Sequence, residues 1–161
     1  MTAFRFARVL AFALGCVLCI AGPAVAQLSE TLRNHVKAER LDIVTSIRGL
    51  PLGVRDELQM LFGSSTLDIA EPDAAFQATK PATAVTLPTR RLVAAGCSIE
   101  HCLVYYQRAG KPLTWVAALF HWTPAATRLE WSGRARGGMT TIADVQNAVL
   151  SGAIKDPVKA W

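Results

Sequence analysis

Hydrophobic and polar side chains alternate with a period of two along the middle of the chain, which is the pattern of β-strands. The predicted strands cover residues 91–96, 103–108, 113–122 and 127–132. In the third of these both faces are apolar, so we expect this strand to be covered on both sides. The connections are short, which favours an antiparallel meander.

Apolar residues recur at helical spacing on either side of these strands. The spacing predicts a helix at about 28–48, where Gly49-Leu50-Pro51 ends the run. A second, shorter helix is expected to end at Gly63. A third is predicted at about 141–151, because Thr141 and Asp144 form a capping-box pattern at its start.

Residues 63–90 are rich in Pro, Ala and Thr. We expect them to be mostly irregular, with one edge strand near Ala84–Leu87. The predicted fold class is therefore α+β, with an antiparallel sheet of about five strands flanked by helices in a single domain.

The first 26 residues have the pattern of a secretory signal peptide. Arg5 and Arg8 precede an apolar run, and Ala24-Val25-Ala26 forms a cleavage site of small residues. The run is shorter than the roughly 20 residues that a membrane span needs. We therefore expect a signal peptide at 1–26, one domain at 27–161, and a periplasmic or secreted protein without a stable membrane anchor.

The formal net charge is +5, and removal of the two arginines of the signal lowers it by two. The remaining basic residues are scattered, and only Arg90 and Arg91 are adjacent. Nucleic-acid binding needs a basic stripe or patch. We therefore expect no nucleic-acid partner.

Export leaves two cysteines in the mature chain, Cys97 and Cys102. Cysteines of exported proteins are usually paired, so a disulfide is expected. A metal site made of these cysteines with His101 and His121 lacks a second closely spaced ligand pair and the C-x2-C spacing of zinc sites. Thiol redox centres typically have the same C-x-x-C spacing, which Cys97 and Cys102 do not have. We therefore expect no metal and no cofactor.

The expected disulfide closes a loop that contains Ser98, Ile99, Glu100 and His101. For so short a loop the chain-entropy model gives a stabilisation of only about 2 kcal/mol. A rigid loop also loses less entropy when it binds a partner. These four residues are the predicted binding loop. The alternative is that the disulfide is a structural staple, which only fixes the turn between two strands.

Common catalytic and nucleotide-binding motifs, including G-x-S-x-G, H-E-x-x-H, the P-loop and G-x-G-x-x-G, do not occur in the chain. Ser98 lies near His101, but the sequence places only the adjacent Glu100 to orient this imidazole. We expect His35 on the surface of a helix and His121 within a strand, both without a catalytic role. We expect no catalytic residues and no enzymatic activity, with Glu100 and His101 as an acid–base pair the weakest alternative.

Residues at about 84–154 resemble the inhibitor of vertebrate lysozyme (Ivy) family of periplasmic proteins. The shared features are a strand leading into the loop Cys97-x4-Cys102, an apolar strand with Ala118-Leu119-Phe120, the strand segment Leu129-Glu130-Trp131, the ending 148–154, and the Gly-Leu-Pro at 49–51. The resemblance covers roughly half of the mature chain, and its most specific element is the six-residue cysteine loop.

The resemblance implies a helix–sheet–helix fold, the capacity to form a homodimer, and a function. Members of the family insert the disulfide loop into the lysozyme cleft, where its histidine engages the catalytic carboxylates. For this chain the implied partner is a lysozyme or another cell-wall hydrolase, bound through residues 98–101.

This loop reads Cys97-Ser-Ile-Glu-His-Cys102, whereas the family loop typically reads Cys-x-Pro-His-Asp-Cys. Glu100 therefore stands where the family has its histidine, and a carboxylate facing two carboxylates is unfavourable. A non-inhibitory periplasmic protein, structural or binding an unknown partner, is the alternative.

Overall fold

Five antiparallel strands form one sheet, and their spatial order, β1-β2-β3-β4-β5, follows the chain. The computed structural model describes residues 28–79, 87–154, 157–158 and 161. The strands are β1 (Asp42–Val44), β2 (Arg90–Cys97), β3 (His101–Arg108), β4 (Thr114–Trp122) and β5 (Thr127–Ala135). The last four overlap the four strands that the alternation predicts, so the antiparallel meander is confirmed.

Helices cover both faces of this sheet. They are α1 (Glu30–Ala38), α2 (Leu52–Phe62) and α3 (Ile142–Leu150). The buried Leu58 of α2 belongs to the core on one face, and Val36 of α1 and Val145 of α3 belong to the core on the other. The predicted α+β class, an antiparallel sheet between helices in a single domain, is confirmed.

Strand β4 lies inside the sheet, and both of its faces are buried. Val116 and Phe120 belong to the core beneath α2, while Ala117 and Leu119 belong to the core beneath α1 and α3. This is the arrangement that its two apolar faces predict.

The first helix is shorter than the sequence predicts, since α1 ends at Ala38 rather than near residue 48. The chain then forms β1, which pairs with β2 through Ile43 and Gly96, and a 3-10 turn at Ile47–Gly49. The prediction of one long helix at about 28–48 is therefore wrong. Ile43 and Ile47 fall at helical spacing by chance, and a β-branched run such as Ile43-Val44-Thr45 favours extended backbone.

The other helix boundaries agree with their sequence signals. Gly63 ends α2 with a left-handed φ of 63°, a conformation that glycine adopts without strain. Thr141 caps α3, because its hydroxyl oxygen accepts a hydrogen bond of 3.2 Å from the backbone N–H of Asp144.

Asp68 connects the segment between α2 and β2 to the sheet. Its carboxylate accepts hydrogen bonds from the Arg90 guanidinium at 2.5 Å and from the backbone N–H of Thr89 at 2.7 Å. Arg90 is buried, and its guanidinium lies 4.0 Å from the centre of the Phe62 ring. The edge strand expected near 84–87 falls almost wholly outside the described residues.

Within the described residues, no helix has the length and apolar character to cross a membrane. The predicted signal peptide at 1–26 lies outside the described residues and stays a prediction.

Candidate functional site

The predicted disulfide between Cys97 and Cys102 is present, with an S–S distance of 2.07 Å. The two cysteines are directly opposite each other at the ends of β2 and β3. The bridge therefore closes the hairpin loop between these strands at its base. Since both sulfurs are bonded to each other, neither is a thiolate nucleophile or a metal ligand.

Hydrogen bonds hold the loop on both sides. The Ser98 hydroxyl oxygen accepts from the backbone N–H of His101 at 2.9 Å and of Glu100 at 3.2 Å. Trp122, at the end of β4, donates its indole N–H to the Ser98 carbonyl at 3.1 Å and its backbone N–H to the Glu100 carbonyl at 2.8 Å. The loop is thus fixed to the sheet by more than its disulfide.

The four predicted binding-loop residues differ in exposure. Ile99 is 88% exposed at the tip, and Glu100 beside it is also exposed. Ser98 is half-buried, while His101 is only 3% exposed. The surface that this loop presents is therefore made by Ile99 and Glu100, with the imidazole beneath it.

The His101 imidazole lies between two carboxylates. Its Nδ1 is 2.7 Å from Oε1 of Glu39, and its Nε2 is 3.2 Å from Oε2 of Glu130. The second carboxylate is held in turn by the Arg128 guanidinium, which donates to Oε1 of Glu130 at 2.6 Å. Buried imidazoles are normally satisfied by hydrogen bonds, and here both ring nitrogens have a partner.

Two local features bring these carboxylates to the imidazole. Glu39 is the residue directly after α1, and its side chain reaches from the end of the helix to the loop histidine. Glu130 lies at an irregularity of β5, where Leu129 pairs with Phe120 and Trp131 pairs with Leu119. The extra residue of such a bulge redirects a side chain.

The Ser98 hydroxyl is not placed to act as a nucleophile activated by histidine. It donates to Oε2 of Glu39, and its contact with His101 is to the backbone of that residue, not to the imidazole. A serine nucleophile needs its hydroxyl on the base that takes its proton. This geometry does not form the Ser–His pair of a triad.

All three histidines of the chain line one cleft. His35, His101 and His121 surround a cavity of about 530 Å³, together with Glu100, Glu130 and Arg128. The ring of His121 lies 5.4 Å from that of His101, and the ring of His35 lies 5.9 Å from it. Nδ1 of His35 is 3.5 Å from Oε1 of Glu39. The arrangement can hold a proton or a cation between imidazole and carboxylate groups.

Sequence reasoning found His101 and Glu100 but missed three neighbours: His35, Glu39 and Glu130. A signal existed for the first two, because they are four residues apart within the helix that the sequence predicts at about 28–48. No sequence signal marks Glu130, because the strand irregularity that redirects it is a tertiary feature.

Comparisons of this chain with family models, with curated proteins and with solved structures find no match. The fold and the site thus define a disulfide-bonded α+β protein with a rigid exposed loop beside a histidine- and glutamate-lined cleft. Its similarity to the Ivy family stays an inference from sequence pattern.

Proposed function

We propose that the protein is an exported binding module that inserts its 97–102 loop into the cleft of a protein partner. The partner implied by the Ivy resemblance is a lysozyme or another cell-wall hydrolase. In this proposal the protein inhibits by occupying the cleft and performs no catalysis itself.

The observation that carries the proposal is the exposure of Ile99 on a rigid loop. Ile99 is 88% exposed, the most exposed large hydrophobic side chain in the described part of the chain. Burying an isoleucine in a partner's cleft is worth about 1.5–3 kcal/mol. Because the disulfide and the Trp122 hydrogen bonds already restrict the loop, little of that energy is lost to ordering.

His101 acts in this proposal as a positioning residue. It is buried against Glu39 and Glu130, so in this proposal it holds the loop in place and does not contact the partner. This differs from the family resemblance, in which a loop histidine engages the target. Substitution of His101 is therefore expected to lower stability as well as affinity, because it leaves two carboxylates without their partner.

The charge around the loop is opposite in sign to that of the whole chain. Glu39, Glu100 and Glu130 lie around the loop, together with Arg128, which pairs with Glu130, and with Arg40 and Asp42, which line a cavity beside Ile99. Glu39 and Glu130 are mostly buried, so Glu100 is the exposed acid among these three. Glu100, exposed beside Ile99, carries the carboxylate that a cleft lined with carboxylates would repel.

An inhibition assay on a panel of lysozymes tests the proposal. The wild-type protein is expected to slow at least one lysozyme at micromolar concentration. Glu100→Gln is expected to tighten inhibition, because it removes a carboxylate from a cleft that contains two. Glu57→Gln on α2 is the matched control and should behave as wild type. If no lysozyme is inhibited, or if both variants change inhibition equally, the proposed target is wrong.

The alternative is that the loop is a structural staple, and one observation favours it. Ser98 and His101 both bond to Glu39, so the loop fastens the end of α1 to the sheet. A staple needs no exposed tip residue. Under this alternative Ile99 can be replaced without any effect on partner binding.

A further inference from the structure

We propose that the cleft beside the loop is a binding site for a zinc ion, with His35, Glu39, Glu100 and His101 as the four ligands. The inference does not depend on the proposed role of the loop as an inhibitor. The ligand atoms of these four residues all lie within 4.8 Å of one another.

The ligands come in two closely spaced pairs. His35 lies in the last turn of α1 and Glu39 is the residue that follows this helix, while Glu100 and His101 are adjacent where the loop meets β3. The metal site considered from the sequence, made of the two cysteines with His101 and His121, had no second closely spaced pair of ligands. The end of α1 supplies it, because the fold brings Glu39 to 2.7 Å from the loop histidine.

His101 and Glu39 face each other at the centre of the site, where a metal ion can replace the proton of their hydrogen bond. Nε2 of His101 is 3.2 Å from Oε2 of Glu130, which Arg128 holds, so the tautomer in which Nε2–H donates to Glu130 leaves the lone pair of Nδ1 facing Glu39. In that tautomer Nδ1 is a free ligand atom 2.7 Å from a carboxylate oxygen, so the two atoms can bind one metal ion together. A histidine ligand whose other ring nitrogen donates to a carboxylate is the usual arrangement in zinc sites.

The distances fit zinc after small side-chain adjustments. Tetrahedral zinc with bonds of about 2.0–2.1 Å places its ligand atoms roughly 3.3 Å apart. Here Nδ1 of His35 is 3.5 Å from Glu39 and 3.9 Å from Glu100. The side chains of His35 and Glu100 are 59% and 52% exposed, so both can move toward the ion, while the 2.7 Å between His101 and Glu39 must widen by roughly 0.6 Å.

The donor set selects the class of metal. Two imidazoles and two carboxylates suit zinc and similar divalent transition ions, whereas calcium and magnesium prefer oxygen ligands throughout. His35 and Glu100 line both the cleft of about 530 Å³ and an adjacent cavity of about 680 Å³ that Glu39 also lines, so the exposed ligands give the ion an entry path.

Zinc titration of the disulfide-bonded protein tests the inference. The protein should carry no polyhistidine tag and should be treated with a chelator, which is then removed. Native mass spectrometry and calorimetry are expected to find one tightly bound zinc ion per chain. Absence of bound zinc at micromolar concentration overturns the inference.

The three histidines provide matched variants. His35→Asn is expected to abolish tight binding, and because this side chain is exposed the fold should be unaffected. His121→Asn should bind zinc as wild type does, because His121 is outside the ligand set. Glu130→Gln should weaken binding by about 10- to 100-fold through the orientation of His101. Loss of zinc in His121→Asn with retention in His35→Asn refutes this ligand set, as does equal weak binding in every variant.

Discussion

The Nδ1 atom of His101 lies 2.7 Å from Oε1 of Glu39, and this contact joins the disulfide loop to the end of the first helix. The same carboxylate accepts the hydroxyl hydrogen of Ser98. One side chain thus connects α1, the loop and the buried imidazole. The binding proposal and the zinc proposal both depend on where this carboxylate is placed.

The role of Glu39 can be measured as stability. Glu39→Ala removes the partner of a buried imidazole and of a serine hydroxyl, so it should lower the free energy of unfolding by about 1–3 kcal/mol. Glu30→Ala lies in the first turn of the same helix and is the control. This control substitution should lower the free energy of unfolding by no more than about 1 kcal/mol. Urea denaturation in the presence of a chelator compares the two, and equal losses would show that Glu39 contributes nothing specific.

Asp68 is expected to be more important for stability than any exposed acid. Asp68→Ala leaves the buried Arg90 guanidinium without its carboxylate, which typically costs about 3–5 kcal/mol. Burial already lowers the pKa of Arg90, against the opposing charge of Asp68. The control is Asp56→Ala on the exposed side of α2. Thermal denaturation of both variants checks the prediction, which fails if their melting temperatures agree.

The disulfide should stabilise the protein only moderately. Replacing Cys97 and Cys102 together by alanine should lower the free energy of unfolding by about 2 kcal/mol, the chain-entropy estimate for so short a loop. Denaturant midpoints of the variant and of the oxidised wild type provide the measurement. A loss near zero would mean that the Trp122 and Ser98 hydrogen bonds alone fix the loop.

Alkaline pH should destabilise the fold through Tyr105. Burial raises the pKa of this phenol from 10.0 to about 12, and its hydroxyl donates to the Arg136 carbonyl. Because the folded pKa is the higher one, the stabilisation is complete below pH 10 and is lost as the pH rises to about 12. Burial raises the pKa of Tyr106 as well, so it acts in the same direction.

The matched variant is Tyr105→Phe. Its free energy of unfolding should fall less steeply with pH over this interval than that of wild type, because Tyr106 alone then contributes. Identical slopes for the two proteins would contradict the assignment to Tyr105.

Most of the fold could be predicted from local sequence pattern, because period-two alternation and caps such as Thr141 act locally. The extent of α1 could not, since Ile43 satisfies both a helical period and an extended strand, and only pairing with Gly96 decides between them. Of the site, the loop and its disulfide could be predicted from the sequence. The carboxylates of the site could not be predicted, because Glu39 and Glu130 reach His101 from positions 62 and 29 residues away in the chain.

The most direct test of the central claim is the dissociation constant for a lysozyme that the protein inhibits, measured for two variants. Ile99→Ser removes the exposed tip of the loop, and Leu52→Ser removes an exposed leucine of α2, which is 64% exposed. If the loop is the binding element, Ile99→Ser should weaken binding by about 10- to 100-fold. Leu52→Ser should bind as wild type does. Equal dissociation constants for the two variants would contradict the account.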